Sequence, residues 1–160
     1  MKLDKRRRRE FKTNYHKRLI LLKGKSPRLV IRKTNNYLVL QIIESIHAQD
    51  KTIFIVTTKD LLELGWPKEK AGSLKSTTAS YLAGYLIGKR SLSKIKDRVI
   101  VDTGLSPSTK GSRIYAAIKG AADAGIKINI DEKIIPSKER IEGKNNKLET
   151  IFNKVKGAIK

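Results

Sequence analysis

The stretch Pro27–Ile43, PRLVIRKTNNYLVLQII, reads as a β-hairpin and decides the fold class. Within Arg28–Thr34 (RLVIRKT), Leu29 and Ile31 alternate with Arg28, Val30 and Arg32, the period of two expected of a strand with distinct faces. Asn35-Asn36 tolerates the positive φ of a tight turn, and Tyr37–Ile43 (YLVLQII) runs back as a second strand. Thr52–Thr57 (TIFIVT) is a third β-branched run. Short connections make the three an antiparallel meander.

Beyond the meander the period changes. Leu64-Gly65-Trp66-Pro67 breaks the chain, and between Ser73 and Arg90 the residues Leu74, Thr78, Tyr81, Leu82, Tyr85 and Leu86 share one helical face. Ala79, Ala83, Gly84 and Gly88 are small enough to let this helix approach a sheet closely. Arg98–Asp102 (RVIVD) reads as a fourth strand, followed by a Gly/Ser/Pro/Thr-rich loop, Thr103–Gly111. Ile114, Ala117, Ile118 and Ala121 then mark the inner face of a second helix that stops at Gly125. Lys127–Ile130 (KINI) is expected to be a fifth strand. Leu148, Ile151, Phe152 and Val155 suit a short final helix. This order predicts an α/β fold with a mixed five-stranded sheet and helices packed on it. It divides the chain into a basic arm and helix (1–25), a body (26–135) and a helical tail (136–160).

Upstream of the hairpin the chain is polarised. The first 33 residues carry 14 Lys or Arg and two acids, Asp4 and Glu10, and so supply +12 of the net +21. Lys5–Arg9 is a charge block expected to lack structure without a partner. Phe11, Tyr15, Leu19 and Leu22 recur at helical spacing up to Gly24, with Lys12, Arg18 and Lys23 off that face. Phosphate oxygens suit such an arm, because neutralising them releases condensed counterions.

The absence of cysteine excludes disulfides, thiolate metal sites and cysteine nucleophiles. His16 and His47 lack ligand spacing, so no metal or other cofactor is expected. Met1 is followed by KLDKRRRRE with no apolar h-region, and Leu19–Leu22 and Tyr37–Ile43 are too short to span a bilayer. The expectation is a soluble, cytoplasmic chain with no membrane partner.

A catalytic constellation is missing from the sequence. Asp102, Glu44 and Asp123 are the candidate acids for a metal clamp, but the first strand offers cations where such an enzyme needs a carboxylate. No catalytic residue is therefore assigned. Binding signals are stronger: Arg28, Arg32, Lys33 and Asn35-Asn36 gather at the hairpin end. Ser106–Arg113 (SPSTKGSR) combines hydroxyls, two cations and Gly111 just before a helix, where backbone N–H groups favour an anion. An ordinary strand-to-helix connection uses the same residue types. Tyr15 and Tyr37 are candidates for stacking on bases.

The order of motifs adds a resemblance. Arg6–Ile43 (RRRREFKTNYHKRLILLKGKSPRLVIRKTNNYLVLQII) resembles the universal large-subunit ribosomal protein eighteen family, in its archaeal and eukaryotic branch. The likeness continues through Leu64-Gly65-Trp66, Ser80–Arg90 (SYLAGYLIGKR), Val101–Ile126 (VDTGLSPSTKGSRIYAAIKGAADAGI) and Ile135–Lys144 (IPSKERIEGK). Phe11 stands where that family usually has Gly, and Asn14 where Asp is usual. The resemblance implies a ribonuclease H-like architecture without its active site. It also implies docking on 5S rRNA in the central protuberance, with contacts to large-subunit rRNA and neighbouring ribosomal proteins. The RNA-facing positions it implies in the arm are Arg6, Arg7, Arg8, Arg9, Lys12, Thr13, Tyr15, Lys17 and Arg18. The hairpin adds Arg32, Lys33, Thr34 and Asn35, and the loop adds Ser108, Thr109, Lys110, Gly111 and Arg113. A ribonuclease H-like metal-dependent nuclease and a generic basic nucleic-acid-binding protein are the alternatives.

Overall fold

The computed structural model of the chain describes residues 3–47, 49–95 and 97–159; Met1, Lys2, Ala48, Lys96 and Lys160 lie outside them. The hairpin forms from β1 (Arg28–Lys33) and β2 (Leu38–Ile46), antiparallel, with Ile31 opposite Leu40. Its turn is closed by Thr34, whose hydroxyl donates to the Tyr37 carbonyl at 2.6 Å and accepts the Tyr37 N–H at 3.0 Å. β3 (Gln49–Thr57) completes the meander, and β4 (Ile100–Asp102) lies parallel to the other edge of β1. The sheet is mixed, in the order β3-β2-β1-β4.

The sheet has four strands among the described residues, not the expected five. Lys127–Ile130 forms no ladder, and one backbone hydrogen bond, from Val99 N–H to the Lys127 carbonyl at 3.0 Å, ties it to the sheet. β4 is three residues long and presents too short an edge to template a neighbour. Ile128 and Ile130 still pack against the core, which accounts for their alternation.

The strict alternation expected of β1 also gives way. Arg28, Leu29, Val30 and Ile31 are all buried, because β1 is central and covered on both faces. Leu29 and Ile31 join the apolar core, where each fully buried side chain contributes roughly 1.5–3 kcal/mol. The Arg28 side is closed by polar groups.

The α-helices are α1 (Arg6–Arg9), α2 (Tyr15–Lys23), α3 (Thr77–Ser91), α4 (Arg113–Asp123), α5 (Lys138–Glu142) and α6 (Glu149–Ala158). Ser76 caps α3 by accepting the Ala79 N–H at 3.2 Å; the preceding Lys68–Lys75 is a 3-10 segment, so the helix begins later than Ser73. Gly125, at φ +113°, ends α4 as expected. The two glycines of α3 have a different partner from the one anticipated. A Cβ at Gly84 would lie 1.9 Å from the Ala117 carbonyl oxygen, and one at Gly88 would lie 2.4 Å from the Ala124 Cβ. Glycine thus lets α3 meet α4, not the sheet. Gly120 matches from the other side, with a Cβ position 2.1 Å from the Tyr81 oxygen. Ile141, Leu148, Phe152, Val155 and Ile159 of the tail enter the same core cluster, stacking α5 and α6 on α3. Among the described residues, no helix is long and apolar enough to cross a membrane.

Candidate nucleic-acid interface

The basic arm is organised by its own ion pairs. Arg6–Arg9, in the block expected to lack structure, forms the single turn of α1, with Arg6 2.8 Å from Glu10 and Arg8 3.4 Å from Asp4. Lys12 meets Glu10 at 2.8 Å, and Arg6 and Lys12 together hold that carboxyl below its usual range. Phe11 does not belong to the helix expected to start with it. It adopts φ +50° and is 87% exposed between α1 and α2. The position where the resembling family usually carries Gly is thus one whose backbone favours Gly. Asn14 is the N-cap of α2, its side-chain oxygen accepting the Lys17 N–H at 3.0 Å, a task Asp performs equally well.

α2 docks through polar contacts, and the apolar stripe its spacing suggested is at most half-buried, at Tyr15 and Leu22. No residue of α2 is fully buried, and Leu19 is 52% exposed. Lys17 Nζ donates to the Gly104 carbonyl at 3.2 Å, and Arg18 Nη2 donates to Asp50 Oδ2 at 2.9 Å. At its end Gly24 lies close to Ile100 of β4. Asp50 also binds the buried Arg28 at 2.7 Å, so one carboxylate joins arm, β1 and β3.

Between α2 and the C-terminal ends of β1 and β4 lies an open cleft of about 800 Å³. Arg7, Lys12, Lys17, Arg18, Arg32 and Lys33 line it against one carboxylate, Asp102. That acid is not free. Arg32 Nη2 donates to its Oδ2 at 3.1 Å, the Gly104 N–H to its Oδ1 at 2.8 Å, and Arg28 Nη1 stands 3.7 Å away. Burial pushes the Asp102 carboxyl upward, but the Gly104 amide and the Arg32 and Arg28 guanidinium groups outweigh it and hold it below the usual range. The cleft therefore presents net positive charge, although Lys12 is paired with Glu10 and Arg18 with Asp50 at its rim.

A second hollow of about 280 Å³ adjoins it, with Lys33 lining both. Thr109, Lys110 and Gly111 come from the loop before α4, Arg113 is the first residue of α4, and Arg140 comes from α5. Gly111 adopts φ +66°, and its N–H donates to the Ile134 carbonyl at 2.9 Å. Ser112 is the N-cap of α4, yet its side chain makes no capping hydrogen bond.

Most sequence-predicted residues thus converge. Arg7, Lys12, Thr13, Tyr15, Lys17, Arg18, Arg32 and Lys33 share the large cleft, and Thr109, Lys110, Gly111 and Arg113 the small one. Arg8 faces a third hollow beside Phe11 and Tyr15. Arg6 and Arg9 line none of these, Thr34 closes the hairpin, and Asn35 sits exposed at its tip. The Ser108 hydroxyl pairs with that of Tyr115. The two tyrosines read as stacking candidates already have cations over their rings: Lys5 over Tyr15 at 4.8 Å and Lys59 over Tyr37 at 4.4 Å. Sequence reasoning missed Gly104 and Arg140, whose roles depend on segments distant in the chain.

The three candidate acids do not assemble. Asp102 is held by arginines, Asp123 accepts the Tyr81 hydroxyl at 2.9 Å and pairs with Lys119, and Glu44 lies exposed opposite Lys51. Among the described residues, no three His, Cys, Asp or Glu side chains are grouped to hold a metal ion.

Comparison with known proteins places the chain among ribosomal proteins. The family described as ribosomal large subunit proteins 60S L5 and 50S L18 matches residues 1–98 and 96–131. The large ribosomal subunit protein uL18 of Methanosphaera stadtmanae is 42% identical over 144 residues, covering 90% of this chain and 72% of the relative. The uL18 protein of Korarchaeum cryptofilum is 44% identical over 144 residues, with the same coverage of both chains. That of Caldivirga maquilingensis is 41% identical over 145 residues, covering 90% and 68%.

Proposed function

The chain belongs to the family of large-subunit ribosomal proteins L5 and L18, and on that premise we propose that it anchors 5S rRNA in the central protuberance. It is a structural constituent of the large ribosomal subunit and not an enzyme. Its place is the ribosome in the cytoplasm, with large-subunit rRNA and neighbouring ribosomal proteins as further partners. The strand order β3-β2-β1-β4, with β4 parallel to β1, supports a fold related to ribonuclease H.

The large cleft carries the reading. Six cations from two helices, a connecting segment and one strand end surround a cavity whose single acid is already neutralised. That arrangement suits a phosphodiester backbone bent between arm and body. The adjoining hollow, with Thr109, Lys110, Gly111, Arg113 and Arg140, extends the same surface. Phosphate contacts supply affinity and register, while the shape of the two clefts selects structured RNA.

Binding of 5S rRNA measured against salt tests this. If the six cleft cations each neutralise a phosphate, the log–log slope is about −4 to −5. Replacing Arg7, Lys17 and Lys33 with Ala should flatten it by about 2 to 3. An unchanged slope would remove the cleft from the interface. Equal affinity for duplex DNA would make the chain a generic polyanion binder instead.

A further inference from the structure

A carboxylate inside a cleft built for phosphate is a liability unless it serves the cations around it. Asp102 is such a group: it lies at the end of β4, lines the cleft, and repels any anion that enters. Its contacts point to a role. Resting on the reading of the cleft given above, we infer that Asp102, with Gly104, is a positioning residue that presents the Arg32 guanidinium to an RNA phosphate.

Arg32 ends β1 with its side chain 45% exposed, where an arginine would ordinarily sample many rotamers. Here three of its five N–H groups are engaged. Nη1 donates to the Asp102 carbonyl at 2.8 Å and to the Ile31 carbonyl at 3.0 Å, and Nη2 donates to Asp102 Oδ2 at 3.1 Å. Asp102 thus holds the outer edge of the guanidinium with both its backbone and its carboxylate. The remaining donors, Nε–H and one Nη2–H, share the other edge and form the fork that binds phosphate in bidentate fashion.

Gly104 locks the arrangement from the loop. Its N–H donates to Asp102 Oδ1 at 2.8 Å, so the carboxylate itself cannot swing away. A Cβ at Gly104 would lie 3.1 Å from Arg32 Cζ, and the residue sits at φ +63°; both conditions favour glycine. Lys17, reaching from α2 to the Gly104 carbonyl at 3.2 Å, adds a second cation to the same spot. The parallel pairing of β1 and β4 makes this possible, because it brings two strand C-termini side by side with Val30 opposite Asp102. Arg32 is therefore ordered during folding and not at the moment of binding.

The test turns on a sign. If Asp102 were a bystander, Asp102→Asn would remove a negative charge from the cleft and tighten RNA binding. As a positioning residue its loss frees Arg32, and immobilising one such side chain on binding corresponds to about a 2- to 12-fold loss of affinity. Asp102→Asn should therefore weaken 5S rRNA binding by that factor in the wild-type background, and leave it unweakened or tighter in an Arg32→Ala background. In the free protein, the NMR signal of the Arg32 Nε–H should show increased mobility in the variant, a readout independent of RNA. The fold should survive, since Arg28 keeps Asp50 and Ser45 at 2.7 Å. Should it not, Gly104→Ala displaces the same guanidinium while leaving the carboxylate charge, and the same coupling to Arg32→Ala is expected. Tighter or unchanged binding in Asp102→Asn, or equal losses in both backgrounds, overturns the inference while leaving the cleft reading intact. An Arg32→Ala variant that binds like wild type overturns the inference and removes Arg32 from the proposed interface.

Discussion

Asp50→Asn is the most exposing perturbation of this protein, because one carboxylate holds two arginines from different elements. Arg28 is 2% exposed, and its Nη2 donates to Asp50 Oδ1 and to Ser45 Oγ, both at 2.7 Å. Ser45 in turn donates its hydroxyl proton to Asp50, and Arg18 of α2 meets the other carboxylate oxygen at 2.9 Å. Removing the charge leaves a buried guanidinium whose nearest carboxylate is Asp102 at 3.7 Å. Breaking a buried pair costs about 3–5 kcal/mol when nothing replaces it. Three features lower that figure here: an Asn oxygen can still accept, Asp102 remains nearby, and Asp50 is 28% exposed. The expected loss is about 2–3 kcal/mol, which corresponds to a Tm lower by about 5–10 °C for a chain of this size. Arg18→Gln, which breaks only the partly exposed pair, should cost about 0.2–1 kcal/mol. Urea unfolding of both variants and of the double variant measures the two contributions separately. A loss below about 0.5 kcal/mol for Asp50→Asn, or one equal to that of Arg18→Gln, would refute the idea that Asp50 compensates a buried charge.

Two further outcomes follow from packing and ionisation. Gly120→Ala places a methyl group 2.1 Å from the Tyr81 carbonyl oxygen, forcing α3 and α4 apart, and should cost about 1–3 kcal/mol or more. Gly157→Ala, with open space around its Cβ position in α6, should be neutral or slightly stabilising; similar Tm shifts for the two variants would contradict the close helix contact. Asp50 and Asp102 both have folded-state pKa values below their unfolded ones: burial pushes each upward, and hydrogen bonds and arginines outweigh it. Their stabilisation is complete above the unfolded value of about 3.9 and is lost as pH falls through the folded value. Denaturant unfolding across the acid range should show stability falling with pH, less steeply in Asp102→Asn; a rise on acidification would oppose this.

The candidate site was legible to the extent that its cations were local. Arg7, Lys12, Lys17 and Arg18 follow one another in the arm, and Arg32-Lys33 ends a strand whose period was plain. Their convergence on one cavity was not legible, because it depends on α2 folding back over the sheet. The arm's apolar spacing misled: Phe11 falls outside the helix and Leu19 faces solvent, since the docking contacts are Lys17 to Gly104 and Arg18 to Asp50. A hydrophobic period identifies an amphipathic face but cannot reveal a helix held by polar contacts.

By itself, the sequence determined what depends on neighbours along the chain. The hairpin follows from two β-branched runs around Asn35-Asn36, although neither asparagine adopts the positive φ expected of it; the end of α4 follows from Gly125, and the polyanion preference from fourteen cations in the first 33 residues. Only the tertiary structure decided the pairings across distance. It buried Arg28 between Asp50 and Asp102, turned Gly84 and Gly88 toward α4, reduced the expected fifth strand to one hydrogen bond, and brought Arg140 beside Gly111. The physical reason is common to all four. Turns, caps and periodicity are local energies encoded in a few adjacent residues. Which carboxylate compensates which arginine, or which backbone a glycine admits, is settled only when remote segments compete for the same buried space.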